Sequence, residues 1–173
     1  MSHQSAALPI AFVVLRILVV LNFLSALAVA ALLAGTVFAH EWTLTALGIT
    51  AGHAIRTNLL GLQGIAALGL VAFFLNHLIL KRLLAMVDTV RAGDPFVAAN
   101  AYRLHAIAWL MVGLQLLSIA IAAFGRIIST PDNPVQLDAG FSINSWLAIL
   151  LTFVLARVFA EGTLMRQDLE GTV

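Results

Sequence analysis

Four long apolar runs constrain this chain more than any other feature. They cover about Pro9 to Phe38, Thr57 to Leu80, Leu104 to Phe124 and Ile143 to Ala160. Each approaches or reaches the roughly 20 residues a helix needs to cross about 30 Å of hydrocarbon. None has an interior proline, and none alternates polar with apolar residues as barrel strands do. Helices are then the way to satisfy backbone groups in lipid. Composition agrees. Of 173 residues, 62% are hydrophobic and 10% charged, with mean hydropathy +1.04. A soluble domain averages roughly 45–50% apolar and about 25% charged. A small chain keeps much of its surface exposed, so this one cannot hide its apolar side chains from water. The expected fold is all-α: a polytopic membrane protein, one domain over residues 1–173, built as a four-transmembrane-helix bundle.

Several classes fall away on composition. The chain has no cysteine, which removes disulfides, thiolate chemistry and iron–sulfur ligation. A net charge of +1 carries no nucleic-acid footprint. Ala28-Val29-Ala30 has the look of a signal cleavage site. Yet no basic residue precedes Arg16 and the apolar run exceeds a signal core, so a retained first helix is expected.

Lys and Arg set the expected orientation. Lys81, Arg82, Arg91 and Arg103 lie between runs two and three, Arg16 lies early in run one, and Arg157 and Arg166 lie at the C-terminal end. The other two connections carry only Arg56 and Arg126. Both termini and segment 81–103 should be cytoplasmic in a bacterial inner membrane. In KRLLAMVDTVRAGDPF the apolar residues keep near-helical spacing past Lys81-Arg82, which predicts a cytoplasmic extension of helix 2. Gly93 can end it, and Asp94-Pro95 can start helix 3. After Ala160, residues Leu164, Met165 and Leu169 among Glu161, Arg166, Asp168 and Glu170 predict a matching amphipathic extension of helix 4. The two extensions could form a platform on one side of the membrane.

Inside lipid, small and polar residues hold helices together. Asn22, Gln63 and Gln115 are the intrabundle polar candidates. Stripes on Asn22/Ala26/Ala30, Gly61/Gly64 and Gln115/Ser118/Ala122/Gly125 are candidate contact faces. Arg16 stands within an apolar run and is costly there. It is expected to pair with Glu161 or to snorkel to the headgroups. His40, His53, His77 and His105 suggest a bis-histidine haem site, but His53 and His77 are about 36 Å apart along a helix, which argues against one. No nucleophile–base set, phosphate loop or metalloprotease motif is present. The expectation is therefore no enzyme, no catalytic residue, no metal and no cofactor.

Two stretches resemble a known family. One is Gly93-Asp94-Pro95-Phe96 with Asn100 and Arg103. The other is Val158-Phe159-Ala160-Glu161-Gly162 followed by Met165-Arg166, Asp168-Leu169-Glu170 and Gly171-Thr172-Val173. They are similar to the bacterial domain-of-unknown-function family 2975, small four-helix membrane proteins. Its members have G-[ND]-P-F before the third helix and an F-x-x-G…L-R-x-D-L-E-G-T-V end. This chain departs from that pattern at Ala160-Glu161 and Met165. Many members are encoded beside a helix-turn-helix regulator, so the resemblance implies a role in governing a transcription factor. The candidate interaction residues are Arg16, Asp94, Pro95, Phe96, Asn100, Arg103, Arg157, Glu161, Gly162, Arg166, Asp168 and Glu170. Partners are then the lipid bilayer and a cytoplasmic transcription regulator, with no direct contact to nucleic acid. The alternative is a small transporter or channel using the polar bundle interior.

Overall fold

The computed structural model describes residues 7–39, 43, 55–129 and 137–170. Four helices account for nearly all of them: α1 (Ala7–Phe38), α2 (Ile55–Arg91), α3 (Ala98–Ile128) and α4 (Ile143–Glu170). No strand occurs among the described residues. Each helix is long and apolar enough to cross a membrane. Large apolar side chains lie on the outside, among them Val13, Ile17, Phe23, Leu27, Phe74, Leu150 and Leu151. That inverted surface suits lipid, where exposed apolar groups carry no penalty.

The helices exceed the span they need. At 1.5 Å per residue the 37 residues of α2 reach about 55 Å, well beyond about 30 Å of hydrocarbon. The expected continuations of helices 2 and 4, to Arg91 and into Glu170, are both helical.

Gly93 ends α2 through a Schellman closure. Its φ is +85°, a left-handed value that disfavours a Cβ. The Asp94 N–H donates to Thr89 O at 3.0 Å and the Gly93 N–H to Val90 O at 3.1 Å, which satisfies two terminal carbonyls. The next helix does not begin at Asp94-Pro95. Residues 94–97 are non-helical, and α3 starts at Ala98 with Val97 at its N-cap and no side-chain cap. The Asp94 carboxylate is committed to Arg166 instead.

Packing runs in series. Among the described residues, α1 packs on α2, α2 on α3 and α3 on α4, and α1 does not reach α4. The four helices form an open row. The Arg16–Glu161 bridge expected to lock helices 1 and 4 is therefore not formed. Glu161 pairs with Arg157 one turn back on its own helix, at 2.5 Å. The guanidinium of Arg16 lies over Phe12.

Polar side chains fasten the neighbours. Asn22 is buried; its amide donates to Phe73 O at 3.1 Å, and its carbonyl oxygen accepts from Asn76 at 2.9 Å. Further along the same seam, Gln63 donates to Thr36 at 3.4 Å. The Gln115 amide donates to Gly140 O at 2.8 Å, and the Gly140 N–H donates to Ser118 Oγ at 2.9 Å. The helix 3 stripe thus seats the segment leading into α4 rather than another helix. On α2, Gly64 has open space where a Cβ would go, so it makes no close helix contact.

Candidate interaction surface

The turn between α2 and α3 is built around one side chain. Asn100 is completely buried. Its amide donates to Thr89 Oγ1 at 2.7 Å and to Pro95 O at 2.9 Å, and its carbonyl oxygen accepts from Arg103 at 2.7 Å. Thr89 in turn donates to Met86 O at 2.7 Å. Every bonding position Asn100 offers toward the turn is thereby used, as burial of an amide requires. The end of α2, the 94–97 segment and the start of α3 are locked as one unit.

The α4 extension docks on that unit. Arg166 forms an ion pair with Asp94, 72 residues away in sequence. The Phe96 ring stacks at a tilt on Phe159, with centroids 5.3 Å apart. Gly162 faces the same ring; a Cβ there would meet Phe96 Cδ1 at 3.0 Å, closer than side chains normally sit. Thr163 is buried beside them and returns its hydroxyl to Phe159 O at 2.8 Å. A charged clamp, an aromatic contact and a missing side chain thus join two segments that share nothing locally.

The candidates divide accordingly. Asp94, Pro95, Phe96, Asn100, Arg103, Gly162 and Arg166 come together. Arg157 and Glu161 pair on α4, about two and a half and one and a half turns before Arg166, and Asp168 is exposed at the far end of that helix. Glu170 ends α4, and its side chain lies outside the described residues. Arg16 belongs to the α1–α2 seam. Asn22 and Gln63 serve that seam too, while Gln115 serves α3, so the three do not line a common path.

Alongside the joined unit runs a groove of about 570 Å³ between α3 and α4. Ala98, Ala101, Ala156 and Ala160 line it, together with Tyr102 and Arg157. His105, also on its lining, makes edge contacts with Trp109 and Phe153 and accepts a hydrogen bond from the Trp109 indole N–H at 3.2 Å. That explains one histidine as part of an aromatic cluster. His40 and His53 lie outside the described residues, which contain no group of three or more potential metal ligands.

Sequence reasoning passed over Thr89 and Phe12, and read Arg91 only as an orienting charge. Thr89 carried no local signal, since its role depends on Asn100 reaching back across the turn. Phe12 looked like one apolar residue among many until two arginines converged on it.

A family model described as protein of unknown function (DUF2975) matches residues 60–173, which include most of α2, the turn, and all of α3 and α4. No curated protein and no solved structure matches the chain.

Proposed function

The chain belongs to that family, and on this premise we propose that it is a non-catalytic interaction or signalling component of a membrane. Its working surface is the joined turn and α4 extension, facing the cytoplasm and a protein partner there. The observation that carries the reading is the Asp94–Arg166 and Phe96–Phe159 junction. Lipid-spanning helices need no such device to cross a bilayer. A junction of this kind gives a fixed shape to chain lying beyond the hydrocarbon, and fixed shape is what protein recognition requires.

Orientation supports the cytoplasmic assignment. Arg91, Arg103, Arg157 and Arg166 stand on or beside the junction, and Arg16 meets Arg91 on Phe12. Seven of the nine basic residues fall in the sequence segments at this end, the bias that favours retention on the cytoplasmic side. The family resemblance suggests a helix-turn-helix transcription regulator as the partner class. A transporter reading has less support, because Asn22, Gln63 and Gln115 are each used in bonds between neighbouring segments.

The test is affinity capture of cytosolic proteins by the full-length chain in detergent, against a variant carrying Asp168→Lys and Glu170→Lys. The expected result is one regulator retained by the unaltered protein and lost from the variant at equal membrane levels. Identical capture by both would remove the reading.

A further inference from the structure

Arg16 and Arg91 converge on a single aromatic ring. Their guanidinium carbons lie 4.7 Å and 4.6 Å from the Phe12 centroid. The two cations are thus no more than about 9 Å apart, close enough to repel one another. Among the described residues neither has a carboxylate closer than 4.0 Å. Arg91 stands 4.0 Å from the exposed Asp88, too far for a close hydrogen bond. Arg16 has no carboxylate partner among the described residues, while Asp94 and Glu161 are engaged by Arg166 and Arg157.

Depth identifies the counter-ion. The apolar span of α1 begins at Leu8 and runs 31 residues, about 46 Å, against about 30 Å of hydrocarbon. Centred in the bilayer, it leaves about 8 Å at each end, which puts Phe12 in the headgroup zone and Arg16 near the hydrocarbon edge. Arg16 reaches back toward the N-terminus to bring its charge to that zone. Below it, Val13, Ile17, Val20 and Leu24 are exposed on α1. Two guanidiniums at headgroup depth above an exposed apolar surface match one chemistry: a phosphate diester with acyl chains.

We propose that Phe12, Arg16 and Arg91 form a binding site for an anionic phospholipid. The phosphate oxygens accept from both guanidiniums, a geometry that planar N–H forks favour, and an acyl chain lies along α1. A zwitterionic lipid brings an ammonium to the same two cations and binds less well. The site does not depend on a cytosolic partner, so failure of partner capture leaves it standing.

Native mass spectrometry of the full-length protein, given equal phosphatidylglycerol and phosphatidylcholine, reads the preference. Two arginines at the headgroups should favour phosphatidylglycerol by about thirtyfold. R16Q/R91Q should bring retention of the two lipids to parity. R16K/R91K keeps both charges and should keep the preference, as should R126Q in the last turn of α3. Equal retention by the unaltered protein, an undiminished preference in R16Q/R91Q, or loss of the preference in R16K/R91K would overturn the proposal. Displacement of the lipid by inorganic phosphate at equal concentration would assign the site to a soluble anion and overturn it as well.

Discussion

Asn100 shows how much one polar residue can hold. Its three hydrogen bonds, one to a charged guanidinium, tie α2, the turn and α3 together. Asn100→Ala deletes them and leaves the Pro95 carbonyl and Thr89 hydroxyl short of a partner. The expected cost is about 2–4 kcal/mol, on typical values for neutral and charge-assisted bonds. Unfolding in mixed micelles, followed by circular dichroism, measures it, and a loss below a tenth of that would contradict the assigned role. Gly93→Ala isolates backbone strain, because a Cβ there meets nothing within 4 Å. The left-handed φ alone should cost about 1–2 kcal/mol in the same assay.

At the scale of elements, the junction between the turn and α4 separates charge from shape. The Asp94 and Arg166 side chains are 44% and 45% exposed, so the ion pair contributes only about 0–1 kcal/mol. Shape should weigh more. Gly162→Ala forces the Phe96 ring aside, at a cost of about 1–3 kcal/mol for overpacking. In a Phe96→Ala background the same change should become neutral or stabilising, since alanine is the better helix former by about 1 kcal/mol. A double-mutant cycle that came out additive would show that Gly162 and Phe96 are not in contact. On the α1–α2 seam, Asn22→Leu removes two hydrogen bonds. Membrane values near 0.6 kcal/mol per bond predict a loss of about 1 kcal/mol.

The whole molecule is a row of four helices with the junction at one end and the α3–α4 connection at the other. Because the chain has no cysteine, introduced thiols report topology without background. Ala92→Cys and Gln167→Cys should react with an impermeant thiol reagent from the same side of sealed vesicles. Asp138→Cys, beside the start of α4, should react only from the opposite side. Labelling of all three from one side would contradict a four-span row. The open arrangement also predicts that changes in α1 stop at α2, because α1 touches no other helix among the described residues.

The architecture was legible because its causes are local. Apolar length, helical spacing beyond Lys81-Arg82 and a glycine at position 93 act within a few residues of themselves, and α2 ends where they say. The motif residues Asp94, Phe96, Asn100 and Arg166 could be picked out from the resemblance, but nothing in the sequence paired them. Asp94 read as a helix start because N-cap chemistry is local, while its actual partner lies 72 residues further on. The Arg16–Glu161 pairing failed for the same reason. It assumed that α1 and α4 are neighbours, and spatial order in a row of helices is decided by which faces pack, not by apolar length. Apolar length determined that this chain has four helices able to cross lipid. Only the tertiary structure decided which charges meet, because ion pairs and aromatic contacts depend on a few ångströms between segments far apart in the chain.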